Sequence, residues 1–133
     1  MAMLARRGAK SNEIISIANR FSVASFDRWV RSVYVYRDED IEMIRTPEFM
    51  IGDWKSRGYI EGDCDDIATF GASVFLAIGV PCRIVAIRTT TDNPNYRHVF
   101  VEILLENVWI RFDPTVSNET VFPVIGSPMI LRV

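Results

Sequence analysis

The stretch GDCDDIATFGASVFLAIGVP, residues 62–81, contains both ends of one helix and the reason for its burial. Asp63 is placed to cap the first turn, and Asp66, three residues on, can reach back as the second half of a capping box. Gly79 closes the helix, with Pro81 just beyond it. Between these ends Ile67, Ala68, Phe70, Ala72, Val74, Phe75, Leu76, Ala77 and Ile78 are apolar nearly all round, so the helix is expected to be buried on most sides and to form the centre of the domain.

Upstream the pattern is also helical. Ile14, Ile15, Ala18 and Phe21 share a face, and Phe26, Trp29, Val30, Val33 and Tyr34 share another, with Asp27, Arg28 and Arg31 opposite. The run Arg37-Asp38-Glu39-Asp40 reads as a solvated turn. Thr46-Pro47-Glu48 starts a short helix: Thr as N-cap, Pro where its missing N–H costs nothing, Glu near the positive helix end, and Gly58 as the stop. Residues 1–10 read as a loose arm.

Downstream of Pro81 the period becomes strand-like. Arg83 to Thr90 is a strand, the polar loop 91–97 contains Asp92-Asn93-Pro94-Asn95, His98 to Leu105 is a second strand, and Val108 to Asp113 is a third, stopped by Pro114. Helices first and an antiparallel sheet second is an α+β plan, expected as a single domain over residues 1–133.

The chain has 133 residues, 49% of them hydrophobic, and a formal net charge of −2, which suits a domain with a substantial core. With 17 acidic and 15 basic residues there is no basic footprint for nucleic acid. One histidine and two cysteines cannot build a Cys/His zinc cluster, and both cysteines are expected as free thiols. No apolar run is long enough to span a membrane, and no apolar segment follows Arg6, Arg7 and Lys10 as in a signal peptide. The expected setting is cytoplasmic, or reached by a route that leaves no sequence signal.

If Glu106-Asn107 is a two-residue turn, Leu105 faces Val108 and the rest of the register is set. Val99, Val101, Ile103 and Leu105 then share an apolar face with Val108, Ile110 and Phe112. On the other face Glu102 lies opposite Arg111 and Leu104 opposite Trp109, an opposite-charge pair and an apolar pair that support the register. That second face also carries His98 and Asp113 as diagonal neighbours, and Pro114 biases Asp113 towards extended backbone.

A histidine near a sheet edge and an aspartate closing a strand would ordinarily be unremarked. Cys64 changes that reading, because the first turn of a buried helix is where unpaired N–H groups and the helix dipole stabilise a thiolate. A nucleophilic thiol needs an imidazole base and a carboxylate to orient it, and Cys64, His98 and Asp113 supply these. Asp63, Asp65 and Asp66 would raise the thiol pKa if aimed at the sulfur, so they are expected to cap the helix or pair elsewhere, with Arg83 and Arg97 available. Cys82, between helix stop and strand, is expected to pack as a small hydrophobe.

Four motifs in order, Gly-Asp-Cys-Asp-Asp-x-Ala at 62–68, Ala-Ile-Gly-Val-Pro-Cys-Arg-Ile-Val at 77–85, His-Val-Phe-Val-Glu at 98–102 and Trp-Ile-Arg-Phe-Asp-Pro-Thr at 109–115, resemble the transglutaminase-like superfamily. The resemblance runs from about Tyr36 to Thr115. It implies a papain-like core in which N-terminal helices and a central Cys-bearing helix pack on an antiparallel sheet, with Cys64 as nucleophile, His98 as base and Asp113 as orienting carboxylate. It also implies an oxyanion site at the Cys64 N–H with a second donor upstream of the Thr46-Pro47 helix start. Tyr36 is the candidate, with an ordinary core tyrosine as its other reading; Trp54 and Tyr59 are candidate cleft walls. Residues 116–133 match no part of the pattern, although Val121 to Val124 and Met129 to Leu131 are apolar enough to pack back on the sheet.

The implied activity is acyl transfer through a Cys64 thioester, most simply hydrolysis of an amide bond in a peptide or protein. The alternatives are protein crosslinking with a lysine amine, a non-catalytic peptide-binding module that keeps the fold, and, last, an acyl carrier of the arylamine acetyltransferase kind. The resemblance implies neither metal nor organic cofactor, and the charge balance and the lack of a long apolar run argue against a nucleic-acid or membrane partner.

Overall fold

A computed structural model describes residues 1–38, 44–91 and 95–133. Among them the elements run α1 (Ala2–Gly8), α2 (Asn12–Ala18), α3 (Val23–Val33), β1 (Tyr34–Tyr36), α4 (Pro47–Arg57), β2 (Ile60–Gly62), α5 (Cys64–Ile78), β3 (Cys82–Arg88), β4 (His98–Leu105), β5 (Val108–Phe112) and β6 (Ile125–Arg132). Glu39 and Asp40 of the expected turn, and 92–94 of the expected loop, lie outside the described residues.

The helix signals act as their chemistry dictates. The Thr46 hydroxyl accepts from the Phe49 N–H with Pro47 in the first turn, and α4 ends at Gly58 in left-handed backbone. At α5 the Asp63 carboxylate accepts from the Asp66 N–H and Asp66 from the Asp63 N–H, a reciprocal capping box, and Gly79 ends the helix. From Asp66 to Phe75 every residue of α5 is buried.

The first ten residues are not a loose arm. Residues 2–8 form α1, which lays Ala5 and Gly8 against the core and turns Arg6 and Arg7 outward. Small residues on a seven-residue helix give almost no hydrophobic periodicity, so the packing face is invisible until α5 is there to receive it. The stretch after α3 also departs from expectation: Tyr34 to Tyr36 pair in parallel with Ile60 to Gly62, which seats Tyr36 opposite Gly62 at the entrance to α5.

Four strands form the main sheet in the order β5-β4-β3-β6, all neighbours antiparallel. Leu105 pairs with Val108, Glu102 with Arg111 and Val101 with Phe112, the register expected from the turn. Glu106 and Asn107 have φ of 50° and 64°, the left-handed pair that a two-residue hairpin requires. The apolar face is buried at Val99, Val101, Ile103 and Phe112, whereas Val108 and Ile110, at the hairpin tip, are 58% and 44% exposed.

Two side-chain expectations change. The Glu102 carboxylate binds Arg83 of the neighbouring strand at 2.8 Å, not the Arg111 that faces it in register, and Arg83 also lies 3.9 Å over the Trp109 ring. Arg83 is therefore committed to the strand ladder and is no partner for the carboxylates of α5. Residues 125–132, unplaced by any motif, extend the sheet beyond β3, adding an edge strand to its plane.

One contact between the layers sets where β5 ends. A Cβ at Gly71 would stand 2.5 Å from Cε1 of Phe112, so only glycine lets β5 approach α5 this closely. The Phe112 ring also stacks on Phe26 at 5.7 Å and meets Phe75 edge-on at 4.9 Å. Asp113 is the next residue and takes its position from this anchor. No helix among the described residues is long and apolar enough to cross a membrane.

Candidate active site

Cys64 is the first residue of α5 and half-buried. Its own N–H lies in the first turn, outside the helical hydrogen-bond ladder. The helix can start there because Gly62 admits the Asp66 carboxylate: a Cβ at Gly62 would come within 2.8 Å of it. Asp66 is completely buried and, besides the capping box, accepts from the Arg45 N–H at 2.7 Å. It is thus turned into the protein and away from solvent.

His98 opens β4 and Asp113 follows β5, and the hairpin register brings them together. His98 Nε2 lies 2.6 Å from Asp113 Oδ2, with the two side chains only 13% and 2% exposed. Thr115 completes the carboxylate's surroundings: its hydroxyl donates to Asp113 Oδ1 at 2.6 Å and its N–H to the same oxygen at 3.2 Å. Burial pushes the Asp113 carboxyl up, but the bonds from His98 and Thr115 more than offset it and hold the group below the ordinary carboxylate range. A carboxylate can only accept, so Nε2 carries the proton, and in the neutral ring Nδ1 is left with the basic lone pair.

The sulfur lies near the start of β4, close enough to the Val99 N–H for that group to favour the thiolate. No hydrogen bond joins it to the imidazole among the described residues. Such contacts are often long before substrate binds. Burial pushes the Cys64 thiol up to about 11; Asp65, Asp63 and Asp113 push the same way, and the Val99 N–H opposes them. This corrects the expected helix-stabilised thiolate. Burial dominates, and of the carboxylates that add to it Asp65 and Asp63 flank the thiol in sequence, Asp63 being at the same time the cap of α5.

The remaining candidates fall into two groups. Tyr36 stands beside the helix start, in register with Gly62; its hydroxyl donates to Asp38 at 2.6 Å, and that bond, burial and the nearby charges of Asp38, Cys64 and Asp63 hold the phenol above its ordinary range. Tyr34 donates to the Gly62 carbonyl at 2.7 Å, and burial, followed by the nearby Tyr36, Cys64, Asp63 and Asp113, holds its phenol well above the ordinary range. Trp54 meets Trp29 edge-on at 5.1 Å and packs, partly buried, against the hydrophobic core. Tyr59 lies under the Arg57 guanidinium at 4.7 Å, in an exposed network with Asp53 and Glu61. Trp54 lies in the last turn of α4, and Tyr59 follows the helix, between Gly58 and β2. Cys82 is buried, donates to the Ala72 carbonyl at 3.7 Å and has its thiol pushed up to about 12 by burial, as a packing residue would.

Three residues near the site had no assigned role in the sequence. Thr115 had a local signal: in Asp-Pro-Thr the aspartate side chain meets the N–H two residues on, the usual geometry of an Asx turn. Arg31 and Phe122 had none, because each reaches the site across the fold. Arg31 donates to the Asp113 carbonyl at 3.2 Å, and the Phe122 ring lies 4.4 Å from the His98 ring between centroids.

Comparison with known proteins gives two positive results. A family model of the transglutaminase-like superfamily matches residues 17–114. The crystal structure of a candidate cysteine protease from Cytophaga hutchinsonii superposes with a TM-score of 0.55 at 22% identity, covering 70% of this chain and 30% of that one. This chain thus spans less than a third of that protein's length, and the likeness is one of fold. Comparison with curated proteins finds no match. The match over most of the chain, together with the α+β architecture of helices on an antiparallel sheet, establishes that it belongs to the transglutaminase-like superfamily, a family of cysteine-dependent peptidases and transferases.

Proposed function

We propose that this domain cleaves an amide bond in a peptide or protein substrate through a Cys64 thioester, with His98 as general base and acid and Asp113 as its orienting carboxylate. The observation that carries the reading is the 2.6 Å bond between His98 Nε2 and Asp113 Oδ2, which leaves Nδ1 basic on the strand whose next N–H lies close to the Cys64 sulfur. Because the resting sulfur is a thiol, attack and proton transfer are coupled. As Sγ bonds to the carbonyl carbon its proton passes to Nδ1, and the developing oxyanion is met by the Cys64 N–H. Tyr36 becomes the second donor once its hydroxyl leaves Asp38. The tetrahedral species expels the amine, which takes the proton from His98. Water then attacks the thioester, gives a proton to His98 and releases the acid, and the sulfur regains its proton. A lysine amine in place of water would make an isopeptide crosslink by the same steps.

The test is limiting iodoacetamide with mass mapping of both cysteines, followed by a peptide and isopeptide screen with and without an added primary amine. Cys64 is expected to label ahead of Cys82, and His98→Ala to slow it by about tenfold or more. Equal, slow labelling of the two thiols, unaffected by His98→Ala, would sink the proposal. Amine incorporation in preference to hydrolysis would turn the reading towards crosslinking.

A further inference from the structure

Residues 115–122 lie beyond the part of the chain that the family model matches, yet they are tied down over the site by two arginines. Arg31, on α3, donates to the Val116 carbonyl at 2.7 Å, to Asn118 Oδ1 at 2.6 Å and to the Asp113 carbonyl at 3.2 Å, while Asp27 holds the same guanidinium at 3.2 Å. Arg111, on β5, donates to the carbonyls of Asn118 and Thr120. A turn closed by Ser117 and Thr120, with hydroxyls 3.1 Å apart, lies between these anchors. The outcome is the position of Phe122. Its ring lies over the His98 imidazole at 4.4 Å and 35°, with the Arg111 guanidinium 5.8 Å from the same ring.

The imidazole is therefore gripped twice by one stretch of chain, on its edge by Asp113 and on its face by Phe122. An aromatic plane there excludes water from the Nε2–Oδ2 bond, which strengthens that bond, and it opposes rotation of the ring away from Asp113. We infer that residues 113–122 form a clip that fixes His98 in its working orientation, with Phe122 and Arg31 as positioning residues and Arg31 as the lock joining the backbone of Asp113 to the segment that bears Phe122. The inference rests on the reading of His98 as the base.

The single histidine makes the test direct, because a histidine-labelled sample of the full chain has one imidazole signal. Two quantities are measured in Phe122→Ala, Phe122→Trp and Arg31→Met: exchange of the Nε2 proton with water by NMR, and the iodoacetamide rate at Cys64. Phe122→Ala and Arg31→Met are expected to speed exchange by about tenfold or more and to slow alkylation severalfold, whereas Phe122→Trp keeps both near the parent. Arg31→Met is the informative variant, since it leaves Phe122 and the His98–Asp113 pair chemically intact. Unchanged proton exchange in folded Phe122→Ala and Arg31→Met overturns the clip. Should Phe122→Ala fail to fold, Phe122→Leu keeps the apolar volume without the ring plane, and parent-like exchange in it is equally fatal. If His98→Ala leaves Cys64 alkylation unchanged, the acid–base reading fails by itself, and proton exchange still judges the clip.

Discussion

Substituting alanine for Gly71 should damage the protein in a way that the same change at Gly52 does not. Both glycines are interior to helices, α5 and α4, where Gly→Ala ordinarily stabilises by about 0.5–1 kcal/mol through reduced backbone entropy. At Gly52 a Cβ meets nothing within 4 Å, so that gain should appear in full. At Gly71 the Cβ would stand 2.5 Å from Cε1 and 3.1 Å from Cδ1 of Phe112, so the ring must retreat by about 1 Å to reach ordinary contact. It has little room, being stacked on Phe26 and edge-on to Phe75. Overpacking of this kind costs about 1–3 kcal/mol. Set against the helix gain, Gly71→Ala should lose up to about 2 kcal/mol, a drop of several degrees in Tm. The displacement passes to Asp113, the next residue, and so to the 2.6 Å bond with His98. Thermal unfolding by circular dichroism and iodoacetamide labelling of Cys64 read the two consequences. A Gly71→Ala protein as stable as Gly52→Ala, with parent-like labelling, would refute the reasoning.

Two further outcomes are expected. Cys64 and Cys82 both titrate higher folded than unfolded, pushed up to about 11 and about 12 from an ordinary 9.0, so the folded chain binds more protons than the unfolded one in this range, and stability should fall as pH rises from about 9 towards 11. Denaturant unfolding at stepped pH checks this, and Cys82→Ala should lessen the slope; a flat profile over that window contradicts the burial argument. Thr115→Ala removes the hydroxyl bond to Asp113 Oδ1, worth about 1 kcal/mol or more to a carboxylate, so the Asp113 pKa should rise and Cys64 labelling should slow severalfold. Carboxylate titration by NMR measures the first effect, and an unmoved Asp113 would show that Thr115 does not hold it.

Much of this architecture is local and therefore legible. Thr46 with Pro47, Asp63 with Asp66, and the Glu106-Asn107 turn each act within four residues of chain, and the turn alone fixes which side chains share a strand face. The His98–Asp113 pair could be read in advance for that reason. What stayed hidden depends on partners distant in sequence. The packing face of α1 is two small residues, α5 supplies its reason, and β6 is specified by the edge of β3. Trp54 and Tyr59 were placed by proximity in the chain to Cys64, whereas packing sends one to Trp29 and the other to Arg57. The rise in the Cys64 thiol was not legible because its main cause is burial, which the sequence does not quantify.

The hairpin that joins β4 to β5 also separates the site in time. His98 and Asp113 belong to one antiparallel unit closed by two residues, the kind of structure that forms within microseconds. Cys64 reaches them only when α5 docks on the sheet, through contacts far apart in the chain that carry the loop-closure penalty of slow, long-range assembly. On the roles proposed for these residues, a chain still folding holds its base and orienting acid together while its thiol lies apart and unassisted. Pulsed alkylation during refolding, run on the parent and on His98→Ala, would detect that interval as a period in which the two label Cys64 alike and diverge only with the final docking step. The domain would in this way be born inactive, its reactivity appearing last and only in molecules whose core has closed.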